Sequence, residues 1–300
     1  MFVGGRSSIA ESVRCVRVRG RKSAGYDRRM SVEGLGSEPL LAFHRAIATG
    51  AVSPGECGFF FDFDGTLARV QDDPEAVYPV PGVEACLAAL CRAYGRVAII
   101  SARPVGFLRS RFREVAGLQF FGLYGLEADA GTGEVRTHPT AEPFLPAMAE
   151  IARRARTELP PGAVEDKGLT VALHYRRHPE LAGTLLAWGE AQTARHGLRL
   201  QHGRMVYELK PPGERNKGTV LREETGGLKG VMYFGDDLGD IAAFEAMAEL
   251  EHDRPSFLGV RVVVSNEETG GPVAAHADVR VQRPESVPEF LRLVLSRAPL

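Results

Sequence analysis

The sequence predicts an α/β fold, with a Rossmann-like core on a parallel sheet and a small second domain inserted into it. Two observations support this prediction. Short apolar stretches alternate with amphipathic helical stretches over residues 58–124 and again after residue 216, and the segment between them has a different order of elements. Alternating strands and helices favour a parallel sheet that helices cover on both faces. A chain of 300 residues is long enough for one large domain or two modest ones.

The first part of the core is predicted from apolar periodicity. Leu40, Phe43 and Ile47 give a short amphipathic helix ahead of the opening strand. The elements that follow are a strand at 58–63, a helix at 82–94, a strand at 97–100, a helix at 105–112 and a strand at 120–124.

The middle segment reads as helix, two paired strands, helix and a hairpin. Its elements are a helix at 143–159, strands at 163–166 and 169–175, a helix at 179–196, and a hairpin of 198–201 with 205–209. An αββαββ unit of this kind builds its own antiparallel sheet with helices on one side. We therefore predict an inserted cap domain at 138–208, between core segments at 37–137 and 209–300.

The alternation of the core resumes after the insertion. Its predicted elements are a helix at 217–224, a strand at 231–234, a helix at 240–248, strands at 260–264 and 279–281, and a closing helix at 285–295.

Charge and composition exclude several classes of protein. The net charge is −1, but residues 1–30 carry eight basic side chains against Glu11 and Asp27, so the rest of the chain is net acidic and does not suit nucleic acid. We predict a basic, disordered extension at 1–36; a basic arm for an acidic partner and a transit-like peptide are the alternatives. No apolar run approaches the roughly 20 residues that span a bilayer, and no secretory segment is present, so we expect no membrane partner and a cytoplasmic location.

The four cysteines show no C-x-x-C spacing. Cys86 and Cys91 fall on the apolar stripe of the 82–94 helix, which predicts core thiols rather than metal or redox ligands.

Carboxylates cluster where two predicted strands end. Asp62 and Asp64 follow the apolar run at 58–61, and Asp236, Asp237 and Asp240 follow the strand at 231–234. Ligands of open parallel sheets bind at the carboxyl ends of the strands, and carboxylates that converge there repel each other unless a cation lies among them. Oxygen ligands with room for water suit Mg²⁺, which is therefore the predicted cofactor.

Two other strand ends carry groups that favour anions. Ser101 and Arg103 follow the strand at 97–100, and Lys217 lies at the start of a helix. Helix N-termini and ammonium groups favour phosphate. A cation site, an anion site and paired carboxylates together indicate phosphoryl transfer to and from an aspartate.

The motifs D-F-D-G-T-L, S-A-R, K-G and G-D-D-L-G-D occur in that order between residues 62 and 240. Together they resemble the four motifs of the haloacid dehalogenase superfamily of phosphatases. Within the insertion, the stretches at 164–168, 174–176 and 208–211 resemble the cap of trehalose-6-phosphate phosphatases, and 122–127 fits the same family. The resemblance covers roughly residues 55–295. Gly239 and Ile241 depart from it, because that family commonly has Thr and Glu there.

The resemblance implies roles for the core residues. Asp62 is expected to be the nucleophile and Asp64 the general acid and base, while Ser101 and Lys217 hold the phosphate. The metal is expected to bind Asp62, the backbone carbonyl of Asp64 and Asp236, with Asp240 behind it steadying Lys217 or a metal-bound water.

Three core roles stay open. Thr66 either bonds near the phosphate or holds its turn, and Asp237 contacts the metal through water or caps a helix. Arg103 either reaches the substrate or forms a surface ion pair.

Polar residues of the cap are expected to bind the sugar, because a disaccharide needs many directed hydrogen bonds. Solvated edge charges are the alternative interpretation. The expected substrate-binding residues are Arg103, Glu127, Glu165, Lys167, His174, Arg176 and Glu208.

The resemblance implies hydrolysis of trehalose 6-phosphate to trehalose and phosphate, with a trehalose-6-phosphate synthase as a possible partner in the pathway. A phosphatase for sucrose, mannosylglycerate or glucosylglycerate phosphate, or a phosphosugar mutase, would keep the mechanism and change the sugar. The alternative from another class is a catalytically silent sugar-phosphate sensor or a synthase-regulating module.

Overall fold

The structure is a computed structural model that describes residues 32–71, 73–203, 205–266 and 269–296. Most of the predicted disordered extension, residues 1–31, lies outside the described residues. Its predicted end at residue 36 is too late, because Val32 and Glu33 form a strand that pairs with Val281 and Arg280.

The described strands form one large and one small sheet. In chain order they are β1 (Val32–Glu33), β2 (Cys57–Phe61), β3 (Arg96–Ile100), β4 (Gln119–Gly122), β5 (Glu127–Asp129), β6 (Arg136–Thr137), β7 (Val164–Asp166), β8 (Val171–His174), β9 (Arg199–Gly203), β10 (Val206–Lys210), β11 (Gly230–Gly235), β12 (Leu258–Val264) and β13 (Val279–Val281). The α-helices are α1 (Glu38–Ala48), α2 (Val83–Ala93), α3 (Val105–Arg111), α4 (Leu145–Glu158), α5 (Ala182–His196), α6 (Lys217–Glu224), α7 (Ile241–Asp253), α8 (Gly271–Ala274) and α9 (Val287–Ser296).

The large sheet has the strand order β1-β13-β12-β11-β2-β3-β4-β5-β6. Its six inner strands, from β13 to β4, are parallel, as predicted. The edges differ from the prediction, because β1, β5 and β6 pair antiparallel. These three strands have two or three residues each, which is too short for a periodic pattern to reveal them.

Helices cover both faces of the large sheet, which explains the uninterrupted apolar run in β2. Phe59 and Phe61 pack into a core shared with α1, α2, α3 and α9, whereas Phe60 packs on the other side with α6, α7 and α8. A strand buried on both faces reads as continuously hydrophobic rather than alternating. The α/β fold predicted from the sequence is confirmed.

The small sheet is antiparallel, with the order β7-β8-β10-β9, and the predicted αββαββ order of elements is confirmed. One face packs on α4 and α5 through a core that includes Ile151, Leu173 and Leu209. Because side chains alternate along strands, the other face carries Glu165, Glu208 and their polar neighbours. We call this the polar face of the small sheet; the extent of the cap as a domain stays a prediction.

Three of the cysteines behave as predicted. Cys57 and Cys86 are buried and Cys91 is half-buried, all as free thiols, and burial raises the pKa of Cys57 to about 12 and of Cys91 to about 11. Such thiols are unreactive hydrophobic side chains. Within the described ranges, no helix combines the length and the apolar character that a membrane crossing requires.

Candidate active site

The site begins at the carboxyl end of β2. The backbone nitrogen of Asp62 donates to the Phe234 carbonyl at 2.8 Å, which continues the pairing of β2 with β11 by one residue. This hydrogen bond brings Asp62 to the same edge as the acidic loop after β11. The Asp62 side chain is almost fully buried.

Asp236 is held by two side chains distant in sequence. Its Oδ1 accepts a hydrogen bond from the Thr66 hydroxyl at 3.0 Å, and its Oδ2 accepts one from the Asn266 amide at 2.7 Å. The loop that carries Thr66 approaches so closely that a Cβ on Gly65 would lie 2.1 Å from Oδ2 of Asp236. Gly65 also has a φ of +85°, so this turn requires glycine. Thr66 therefore bonds to Asp236, a partner that neither of its two expected roles named.

Asp240 accepts four hydrogen bonds and has no exposed surface. Oδ1 accepts from Lys217 Nζ at 2.7 Å and from the Tyr233 hydroxyl at 2.6 Å. Oδ2 accepts from the backbone nitrogens of Asp236 at 2.9 Å and Asp237 at 3.1 Å. Burial raises the pKa of Asp240, but Lys217 and these hydrogen bonds lower it overall. Because all four acceptor positions are in use, Asp240 orients its neighbours and has no oxygen left for a metal.

Lys217 joins the nucleophile candidate to Asp240. Its ammonium lies 2.8 Å from Asp62 Oδ1 as well as 2.7 Å from Asp240 Oδ1, and its side chain is buried. Burial lowers the pKa of Lys217, but Asp240 and Asp62 raise it well above its ordinary value. The lysine is fixed because it opens α6, which Asn216 caps by accepting from the Thr219 nitrogen at 2.9 Å.

The site has a surplus of negative charge. Asp62, Asp236 and Asp240 each place a carboxylate oxygen within 4.8 Å of the others. Burial and the neighbouring carboxylates raise the pKa of Asp236 to about 7, and burial raises the pKa of Asp62 although Lys217 opposes it. Since Asp240 is saturated, Asp62 and Asp236 are the two carboxylates of this group that can hold a cation directly. Carboxylate oxygens of this kind fit Mg²⁺.

Asp237 has the capping role. Its Oδ1 accepts from the Gly239 nitrogen at 2.8 Å in the short turn before α7. The capping interpretation is therefore confirmed, and Gly239 supplies this bond through its backbone.

Asp64 forms a two-pronged ion pair with Arg103. Arg103 Nε donates to Oδ2 at 2.9 Å and Nη2 donates to Oδ1 at 2.8 Å. The guanidinium stacks 4.6 Å from the centre of the Phe107 ring, and its side chain is only 13% exposed, so this is not the surface pair considered above. The Arg103 backbone nitrogen also donates to the Ser101 hydroxyl at 3.1 Å, which ties Asp64 to the buried Ser101.

Four of the predicted sugar-binding residues form one network on the polar face. Glu165 Oε2 lies 2.8 Å from His174 Nε2 and 4.0 Å from Lys167 Nζ. Glu208 Oε1 lies 3.2 Å from Lys167 Nζ and accepts from the Thr170 hydroxyl at 2.8 Å. Strand pairing places the small Ala172 between the two glutamates, and the Lys167 ammonium contacts both of their carboxylates.

The polar face lies next to the carboxyl end of β4 in the large sheet, where Lys210 contacts Tyr124. Burial and the Glu208 charge raise the pKa of Tyr124, which follows β4, and the Glu165 charge helps to raise the pKa of Arg103 against the effect of burial. A cleft of about 500 Å³ lies between the segment 73–75 and the small sheet, and Glu165, His174 and the exposed Arg176 line it.

Glu127 is placed differently from the other predicted sugar-binding residues. Its Oε2 accepts from the Val105 nitrogen at 2.9 Å, so its contact is with the start of α3. Burial raises the pKa of this carboxyl group.

The sequence patterns missed Asn266 and Tyr233 as neighbours of the site. Asn266 comes two residues after β12, so the rule that identified the other strand ends also applied to it. Tyr233 lies within the apolar run of β11, where nothing distinguishes it from a core aromatic residue.

The arrangement of the large sheet, with its acidic loops after β2 and β11 and its lysine at a helix start between them, is that of the haloacid dehalogenase fold. More narrowly, the chain belongs to the trehalose-phosphatase family, since the model of that family, described as Trehalose-phosphatase, matches residues 60–285.

The names of proteins with similar sequences match this family. A trehalose-phosphate phosphatase from Mycolicibacterium paratuberculosis is 36% identical over 63% of this chain and 50% of its own length. Another, from Mycobacterium marinum, is 34% identical over 77% of this chain and 59% of its own length. The chain thus spans about half to three fifths of these curated relatives. A crystal structure described as a trehalose-6-phosphate phosphatase related protein has a TM-score of 0.65 at 23% identity, covering 80% of this chain and 97% of that one, which shows the shared fold.

Proposed function

We propose that this chain is a Mg²⁺-dependent trehalose-6-phosphate phosphatase that works through an aspartyl-phosphate on Asp62. The observation that carries the proposal is the buried Lys217 ammonium, which contacts both Asp62 and Asp240. Glu165 of the polar face lies close enough to this edge of the large sheet for its charge to affect Arg103. The family and the names of the relatives support the substrate.

Asp62 is the proposed nucleophile. Lys217 holds one carboxylate oxygen of Asp62 at 2.8 Å, and Asp240 in turn holds the lysine through one hydrogen bond, while three further hydrogen bonds fix Asp240 itself. A nucleophile held in this way is already oriented for attack on phosphorus. Ser101 follows β3 and Lys217 begins α6, at the edge where the non-bridging phosphate oxygens would lie, and the lysine charge would stabilise these oxygens as charge develops.

The proposed metal ligands are Asp62, Asp236 and the backbone carbonyl of Asp64. Bound Mg²⁺ would neutralise phosphate charge and the surplus of carboxylate charge in the site. Thr66 and Asn266 hold both oxygens of Asp236 in place, which supports a fixed ligand orientation.

Asp64 is the proposed acid and base for the leaving sugar oxygen and the hydrolytic water. In the described state Arg103 contacts both of its carboxylate oxygens. Asp64 must therefore loosen one of these bonds when it transfers a proton, and Arg103 is then free to contact the substrate.

The polar face is the proposed sugar site. Both described bonds to Glu208 go to Oε1, and both contacts of Glu165 go to Oε2. The second oxygen of each glutamate is thus available to hydroxyl groups, with Lys167, His174 and Arg176 as donors. A cytoplasmic location and a trehalose-6-phosphate synthase in the same pathway stay predictions of the sequence.

A phosphate-release assay over a panel of substrates tests this function. The panel contains trehalose 6-phosphate, sucrose 6-phosphate, glucosylglycerate phosphate, mannosylglycerate phosphate and 4-nitrophenyl phosphate. We expect the highest kcat/KM on trehalose 6-phosphate, and loss of activity when Mg²⁺ is chelated. A preference for another member of the panel would reassign the sugar, and no turnover on any member would favour the silent sensor.

A further inference from the structure

Two segments connect the sheets: one leads from β6 to α4, and the other leads from β10 back to α6. The second begins at a buried lysine that none of the roles above uses. Lys210 is the last residue of β10, directly before the segment that leads back to α6. It is only 6% exposed, and strand alternation puts it on the polar face with Glu208. A buried ammonium requires compensation, because removing its charge from water costs several kcal/mol.

The compensation comes from an aromatic ring in the turn that follows β4 of the large sheet. Lys210 Nζ lies 5.2 Å from the centre of the Tyr124 ring and donates to Gln201 Oε1. Among the residues that the structure describes, no carboxylate comes within ion-pair distance of it, and burial lowers its pKa although Glu208 opposes this. The contact with Tyr124 therefore joins the small sheet to the large one.

The Tyr124 ring is held by an unusual turn. Leu123 and Tyr124 have φ values of +50° and +57°, a left-handed conformation that costs non-glycine residues about 1 to 3 kcal/mol each. The Tyr124 nitrogen donates to the Ser101 carbonyl at 3.0 Å, so the turn is tied to the proposed phosphate site. The next residue, Gly125, lies against Arg215, which also donates to His138 Nε2 at 3.0 Å. The two segments that connect the sheets, one with His138 and one with Arg215, thus lie next to each other at this turn.

We infer that Lys210 is a positioning residue, which docks the polar face on Tyr124 and so fixes the distance between the sugar site and the phosphate site. This inference rests on the proposed function, because it assigns Lys210 to substrates that span both sites. A substrate with no sugar uses the phosphate site alone and has no need of the docking.

The test is a double-mutant cycle of Lys210→Met and Tyr124→Leu. Leucine suits position 124, since Leu123 already has the same backbone conformation. Each single variant removes a desolvated cation–π contact. Its kcat/KM on trehalose 6-phosphate should therefore fall roughly ten- to thirtyfold. The double variant should lose no more than about threefold beyond the worse single one, because the first change already removes the shared contact.

Conservative variants and a second substrate separate docking from folding. Lys210→Arg keeps the charge and Tyr124→Phe keeps the ring, so both should stay within about threefold of wild type. All variants should hydrolyse 4-nitrophenyl phosphate within about twofold of wild type. Lys229→Met is the matched control, because Lys229 is a half-exposed lysine paired with Glu56 at 2.6 Å, and it should behave as wild type on both substrates.

Equal losses on both substrates, or additive losses in the double variant, would overturn the inference. If Lys210→Met does not fold, Tyr124→Leu decides alone: a loss confined to the sugar phosphate supports docking and an unselective loss refutes it. If wild type prefers another sugar phosphate, the proposed function fails, and the same cycle on that substrate still decides the role of Lys210.

Discussion

Glu208 offers the sharpest test of where sugar selectivity resides. It is 7% exposed at the centre of the polar face, and its bonds from Lys167 and Thr170 both go to Oε1. The substitution Glu208→Gln keeps the shape and one acceptor oxygen for these partners. It removes the negative charge and the second acceptor oxygen, which we assign to a sugar hydroxyl.

The expected loss follows from the kind of hydrogen bond removed. A hydrogen bond to a charged group contributes about 1.5 to 3 kcal/mol, so kcat/KM on trehalose 6-phosphate should fall roughly ten- to a hundredfold. Hydrolysis of 4-nitrophenyl phosphate should stay within about twofold, because that substrate has no sugar to contact the small sheet. Phosphate release by the two purified proteins, measured on both substrates, gives the comparison.

Glu158→Gln is the matched control. Glu158 is also a hydrogen-bonded glutamate of the insertion, but it ends α4 and accepts from Arg154 and Trp188. It should not alter turnover of either substrate. If Glu208→Gln slows both substrates equally, or neither, the polar face does not select the sugar and our reasoning is wrong.

Three further predictions concern residues outside the polar face. Asp62→Asn should reduce phosphate release at least about a thousandfold, because an amide forms no aspartyl-phosphate; substantial residual turnover, with deamidation excluded by intact mass, would refute the nucleophile. Asn266→Ala should weaken Mg²⁺ binding about ten- to a hundredfold by titration calorimetry, since it frees Asp236 Oδ2; unchanged affinity would mean that this bond does not orient the ligand. The His138 ring accepts a hydrogen bond from Arg215, and burial and the Arg215 charge lower the pKa of His138. Neutral His138 therefore stabilises the fold above about pH 6.5, and this stabilisation is lost as the pH falls and the ring must be protonated. Wild type should therefore lose more stability than His138→Gln between about pH 7.5 and 5.5 in denaturant titrations, and parallel losses would contradict this.

Local patterns in the sequence were enough to predict the main elements and the residues at the strand ends. The run at 58–61 is continuously apolar because β2 is buried on both faces, and Asp62, Lys217 and Asp236 follow or begin elements that the patterns located. Because parallel strands end at one edge, these residues were expected to lie together, and the structure places them so. The αββαββ order of the insertion was also predictable, since its two helices have 14 and 15 residues and its hairpin strands β9 and β10 have five each.

The partners of several site side chains were decided by the tertiary structure alone. Thr66 and Asp236 are 170 residues apart, and Asp64 and Arg103 are 39 apart, so no local period relates them. Two- and three-residue strands such as β5 and β6 exist only because a neighbour is there to pair with them. The contact of Lys210 with Tyr124 likewise depends on packing between distant segments, where distance and direction determine the interaction. The sequence thus determined which groups the site contains, and the packing of distant segments determined which of them is left to bind a cation, a phosphate or a sugar.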